Sequence, residues 1–282
     1  MFTKSRMNTY LRKNTLLLLV VGCVCLLSIV IFFAFKNTNT PKSELPAFSY
    51  PSPTPTDSAH TYPSQILDLH NWKLTVPIGD SEKPTEIRQP ELNTYVLDPW
   101  FVLTPDTQAV RFRSPVSAVT TKGSNYPRSE LREMVNNGRT NASWSSTIGR
   151  HMMTVDQAIT AVPKTKQHVV AGQIHDADDD IIVIRLENPN LYINVDGKNV
   201  YTLDSNYTLG KRFQFAFDVQ GGKTNVYYNN SQKPVYTLTQ TYHGAYFKAG
   251  VYTQSNCSKE KSTDCHENNF GEVIIYNLEV LQ

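Results

Sequence analysis

Lys211-Arg-Phe-Gln-Phe-Ala-Phe-Asp-Val219, followed by Gln220-Gly-Gly-Lys223 and Thr224-Asn-Val-Tyr-Tyr228, is the stretch that decides the fold class. Phe213, Phe215, Phe217 and Val219 fall on one face of an extended chain, and Arg212, Gln214 and Asp218 on the other. A period of two belongs to a strand with one buried face. The Gly-Gly between the two runs is a turn signal, and 224–228 begins the return strand. Working outward, Asn188-Pro189-Asn190 and Asp196-Gly197-Lys198 punctuate further short strands, and 272–281 reads as the last. No amphipathic helix longer than two turns is apparent, nor any internal repeat. Many short strands with regular turns predict an all-β domain over residues 63–282, a sandwich of jelly-roll type.

The rest of the 282-residue chain reads differently. Residues 15–35 form an apolar run without a charge, long enough for a membrane-spanning helix of about 20 residues. Lys4, Arg6, Arg12 and Lys13 lie in the 1–14 tail before it and would keep that end inside. A cleaved signal peptide is the rival, but its apolar core is usually about 7–15 residues and ends at small residues, whereas Ala34 is followed by Phe35 and Lys36. Residues 36–62 are rich in Pro, Ser and Thr and read as an extended spacer. The expectation is a signal anchor with the 63–282 domain outside the cell, or a secreted protein if the segment is cleaved.

The chain has 27 basic and 25 acidic residues; without the four cations of the tail, 23 basic residues face the same 25 acidic ones. A broad basic surface for nucleic acid is therefore not expected. Attraction for a polyanion must come from a local groove. Cys23 and Cys25 lie in the apolar run as small apolar residues, whereas Cys257 and Cys265 flank a polar loop in the exported part. The spacing and the oxidising location predict a disulfide. The alternative, a metal site with His266, lacks a fourth ligand.

Three strings place polar residues two apart on apparent strands: Arg128-Ser-Glu-Leu-Arg132, Gln173-Ile-His175 and Tyr246-Phe-Lys-Ala-Gly-Val-Tyr-Thr-Gln254. One face would carry Arg128, Glu130 and Arg132, then Gln173 and His175, then Lys248, Tyr252 and Gln254. In the strand 168–175, Val169, Ala171, Gln173 and His175 are expected to share a face, with Val170, Gly172 and Ile174 opposite. A charged strand is often only a solvated ladder, and a strand histidine is often structural. Here, however, an arginine fork suited to a carboxylate sits with groups able to remove and return a proton. Glu130 would orient one of the arginines. Gly250 at a strand centre marks close approach of another backbone or of a ligand. Asp176, Asp178 and Asp180 begin like a calcium loop, but Ile181 stands where Gly is needed, so a polar turn is expected. No compact carboxylate pair suggests a glycosidase.

In order and in content these strings resemble the signature regions of alginate lyases of polysaccharide lyase family seven. Leu67-Asp-Leu-His-Asn-Trp-Lys-Leu-Thr-Val-Pro77 and Phe270-Gly-Glu-Val-Ile-Ile-Tyr276 resemble the opening and closing strands, so the likeness covers 64–282. Thr253 stands where Asn is frequent. The resemblance implies a jelly roll with a concave sheet holding the polymer, and β-elimination without metal or cofactor. It implies that Arg128, Gln173 and His175 surround the uronate carboxylate, and that Tyr252 protonates the leaving oxygen and can also act as base. His175 is then the base for guluronate, Lys248 and Gln254 bind substrate, and Glu130 and Arg132 shape the subsite. Ile174 is, in the family, associated with guluronate-containing blocks. A monomer acting on alginate is expected. A carbohydrate-binding jelly roll without chemistry, or a lyase for another polyuronate such as glucuronan, are the alternatives.

Overall fold

The phenylalanines of 213–219 are buried because a second sheet covers them. In this computed structural model residues 60–281 are described, all within the compact unit Phe48–Gln282. The tail 1–14, the apolar run 15–35 and nearly all of the spacer 36–62 lie outside the described residues. In chain order the strands are β1 (Trp72–Asp80), β2 (Lys83–Ile87), β3 (Phe101–Leu103), β4 (Val110–Pro115), β5 (Arg128–Val135), β6 (Thr140–Asn141), β7 (Arg150–Ala161) and β8 (His168–His175). They continue as β9 (Asp180–Glu187), β10 (Asn190–Val195), β11 (Lys198–Asp204), β12 (Phe213–Gln220), β13 (Lys223–Tyr228), β14 (Tyr236–Thr239), β15 (Tyr246–Thr253) and β16 (Phe270–Leu281). One antiparallel sheet has the order β11-β10-β9-β8-β15-β5-β1-β2, with β6 joined to β5. The other has the order β14-β13-β12-β7-β16-β4-β3. The fold is the all-β sandwich expected of a jelly roll. Among the described residues the only helical segments are three short 3-10 turns, and no helix is long and apolar enough to cross a membrane.

Phe213, Phe215, Phe217 and Val219 of β12 are fully buried. They pack in one core with Val169, Ala171, Ile174, Phe247 and Val251 of the other sheet. Burying each such side chain contributes on the order of 1.5–3 kcal/mol. The opposite face of β12 departs from the simple polar-outward reading, because Gln214 and Asp218 are also buried. β12 is an inner strand, and long side chains lie across it: Arg150 Nε donates to Asp218 at 2.7 Å, and Arg212 and Gln214 donate to Asp156.

The face assignment for 168–175 needs correction. Val169 and Ala171 belong to the core with Ile174, and a side chain on Gly172 would run into Phe215. Val170 lies opposite Tyr252, and Gln173 opposite Lys248. Four residues of β8, Val170 to Gln173, span three of β9, Arg185 to Val183. This bulge inserts one residue and reverses the alternation, so Gln173 and His175 share their face with Val170 rather than with Ala171.

Cys257 and Cys265 form the disulfide, with Cα atoms 4.9 Å apart. Both sulfurs are thereby withdrawn from any metal site with His266. Inside the loop Glu260 accepts the backbone N–H groups of Thr165 and Lys166 at 2.8 and 3.0 Å, which ties the loop to the turn before β8.

Candidate active site

β8, β15 and β5 are neighbours, so the three polar strings meet. Arg128 pairs with Tyr252, Glu130 with Gly250 and Arg132 with Lys248 across β5 and β15. Lys248 pairs with Gln173, and Tyr246 with His175, across β15 and β8. Of the eight residues singled out from the strings, all but Glu130 line one open groove with a cavity volume of about 730 Å³. Gly250 has φ +129°, and a Cβ there would lie 2.6 Å from the Ser129 carbonyl oxygen. The close approach that its position implied is therefore that of the β5 backbone.

Glu130 lies beneath the groove, 1% exposed. Lys248 Nζ is 2.6 Å and Arg128 Nη1 3.1 Å from its Oε2, while Gln173 Nε2 donates to its Oε1. It does not pair with Arg132. Burial pushes the Glu130 carboxyl up, but Lys248 and Arg128 together outweigh burial and hold it below the ordinary carboxylate value. Lys248 is pushed down to about 8 by burial and by Arg128, against the pull of Glu130. With both cations charged, two positive charges face one negative charge in a site sheltered from water. Among these three groups the balance is an excess of one positive charge, which suits an incoming carboxylate; Asp180, which lines the same groove, acts on Lys248 more weakly than Glu130 does. Gln173 keeps a second N–H and its carbonyl oxygen for a ligand.

His175 Nδ1 is 2.7 Å from the Asp176 carbonyl oxygen, which can only accept. The ring hydrogen therefore sits on Nδ1, and Nε2 carries the lone pair. Burial first, and then the charge of Lys248, lowers the affinity of His175 for a second proton, leaving it a neutral base. The Tyr246 ring stacks on it at 5.4 Å between centroids, and the Arg132 guanidinium lies 3.9 Å from the centre of the Tyr246 ring. Arg132 is further held by the Glu133 carbonyl at 3.0 Å. The Tyr252 oxygen is 3.0 Å from Ser124 Oγ, and the Arg128 guanidinium lies 4.0 Å over the Tyr252 ring. One groove thus combines a neutral imidazole base, a phenol and a cationic floor. That set can neutralise a carboxylate, remove the proton beside it and protonate a leaving oxygen.

A family model described as alginate lyase matches residues 67–282. A solved alginate lyase of polysaccharide lyase family 7 is 50% identical, with a TM-score of 0.73 over 78% of this chain and 98% of its own. The chain belongs to the alginate lyases of polysaccharide lyase family 7. The alginate lyase from Corynebacterium sp. is 47% identical, with a TM-score of 0.76 over 79% of this chain and 99% of that enzyme. A curated alginate lyase from Klebsiella pneumoniae is 23% identical over 272 residues, 73% of this chain and 88% of that protein.

Tyr246, Ser124 and Tyr126 are among the groove residues of this alginate lyase family member that the sequence did not single out. Tyr246 carried a signal, since it stands two before Lys248 on the same strand. Ser124 and Tyr126 lie in the loop before β5, where no periodicity points to a face. The acidic run after His175 is a turn: the Asp176 carboxylate accepts the N–H groups of Asp178 and Asp179 at 2.8 and 3.1 Å. Among the described residues no group of three or more His, Cys, Asp or Glu is placed to hold a metal ion. Ile174 is fully buried opposite Phe247, so it can affect substrate choice only through the placement of Gln173 and His175.

Proposed function

We propose that this protein is a polysaccharide lyase that cleaves alginate by β-elimination, leaving an unsaturated uronate at the new chain end. The observation that carries this reading is the pairing of a base and a phenol around the Glu130-anchored cations in one groove. A proton beside a carboxylate is weakly acidic because the carbanion adds to an existing charge. Donors on Arg128, and the free N–H of Gln173, would stabilise the developing dianion as an oxyanion hole does. His175 Nε2 would take the C5 proton of guluronate, whose leaving oxygen receives the Tyr252 hydrogen as the C4–O bond breaks. For mannuronate, which presents that proton from the opposite side, Tyr252 would serve as base as well as acid. Lys248 and Gln254 would contact the polymer from the same face, with Arg132 shaping the subsite through Tyr246.

Guluronate-containing blocks are the proposed preference, supported by the Gln173-Ile174-His175 string and the neutral His175. The apolar run 15–35 and its basic flank support an uncleaved anchor, with a monomeric lyase domain displayed outside the cell.

The test is initial rates on polyguluronate and polymannuronate, followed by the ultraviolet absorbance of the conjugated product, with polymer binding measured separately. Tyr252→Phe should fold and bind but turn over at least about 10²-fold more slowly, the usual scale for a general acid. His175→Ala should impair guluronate linkages more than mannuronate ones, and Arg128→Ala should impair both. Near-parental turnover by folded Tyr252→Phe would refute the mechanism.

A further inference from the structure

Ser124 has four polar neighbours and one hydrogen. Arg128 Nη2 donates to its Oγ at 3.1 Å, and the Tyr126 backbone N–H donates at 3.2 Å. Neither group can accept, so together they occupy both lone pairs of the hydroxyl oxygen. The serine hydrogen is left with two acceptors, the Tyr126 carbonyl at 3.1 Å and the Tyr252 oxygen at 3.0 Å. With its lone pairs taken, Ser124 cannot accept from Tyr252. The contact between the two hydroxyls therefore runs one way, from serine to tyrosine, and the phenol hydrogen stays free for the groove that both residues line.

We propose that Ser124 is a positioning residue for Tyr252, directing the phenol hydrogen at the substrate and stabilising the phenolate left behind. The inference rests on the reading of Tyr252 as the acid. At rest the serine hydrogen is shared between two neutral acceptors. As the Tyr252 O–H bond breaks and its hydrogen joins the glycosidic oxygen, the phenolate becomes the stronger acceptor and draws the serine hydrogen from the Tyr126 carbonyl. The Arg128 guanidinium over the ring adds to the same stabilisation. Because the contact strengthens only as charge develops, it acts on turnover and not on substrate affinity.

The experiment compares Ser124→Ala and Ser124→Thr with the parent, and Tyr252→Phe with Tyr252→Phe/Ser124→Ala. It uses the full chain with steady-state initial rates over a range of substrate concentrations, and thermal melts to verify folding. Ser124→Ala should lower kcat by about 10- to 100-fold with KM changed less than about twofold, a loss reaching only the low end of the about 10²- to 10³-fold that a lost oxyanion donor costs, because the Arg128 guanidinium still faces the ring. Ser124→Thr keeps the hydroxyl and should restore most of that loss. On the Tyr252→Phe background Ser124→Ala should add nothing, since the oxygen it serves is gone. Parental kcat in Ser124→Ala, or a loss that a folded Ser124→Thr does not restore, would overturn the proposal. An equal loss on both backgrounds would overturn it too. An inactive Tyr252→Phe beside a fully active Ser124→Ala would remove the inference and leave the lyase reading standing. An active Tyr252→Phe would remove that reading itself.

Discussion

Glu130 is the residue on which the site is built, although it is covered and does not line the groove. It accepts from Lys248, Arg128 and Gln173, so it sets three side chains at once. Glu130→Gln would leave the Lys248 and Arg128 charges buried without an anion, and the expected destabilisation is about 3–5 kcal/mol. Urea unfolding at neutral pH measures it. The sign with pH follows from the lowered carboxyl. The folded value lies below the ordinary 4.5, so the stabilisation is complete above pH 4.5 and is lost as pH falls through the folded value. The parent should therefore lose stability on acidification more steeply than Glu130→Gln, and parallel curves would contradict this. That these residues share a face was legible in the sequence, because side-chain alternation is local. The burial of Glu130 was not legible, since it depends on strands that lie beside it only after folding.

Gly250 and the β8 bulge show the same division for elements. The run 246–254 reads as a strand, and a glycine there reads as a point of close approach. Which backbone approaches follows only from the pairing of β15 with β5. Gly250→Ala would force a side chain into φ +129° and against the Ser129 carbonyl. The strain is expected to cost about 1–3 kcal/mol, with the steric contact adding to it. Because Lys248 and Tyr252 flank the position, turnover should fall along with stability. Melts and initial rates on the same preparation check both, and an alanine variant of parental stability would refute the account. The bulge in β8 left no trace in His168-Val-Val-Ala-Gly-Gln-Ile-His175. Its residues suit either phase, and the pairing with β9 and β15 selects one.

At the scale of the molecule, the sandwich buries a core between two sheets and leaves one sheet face for the groove. The Cys257–Cys265 loop reaches the turn before β8 through Glu260, and Lys166 of that turn donates to the Tyr126 hydroxyl at 2.8 Å. The proposed anchor belongs to this scale as well. Expressed natively, the full chain should stay with membranes through a high-salt or carbonate wash. External protease should release an active fragment by cutting within 36–62. A soluble mature protein starting just after residue 35 would instead establish a cleaved signal peptide.

The amino-acid sequence alone determined the all-β class, the alternation of 211–219, the disulfide pair and the polar face of three strings. All of these follow from backbone alternation, turn chemistry or short spacing, which neighbouring residues settle among themselves. The tertiary structure decided which groups touch: Gln173 on Glu130 across 43 residues of chain, and Ser124 on Tyr252 across 128. It also decided the phase of β8 and the burial of Glu130. Contacts over such separations depend on strand order, register and loop closure, and these exist only when the whole sandwich has assembled.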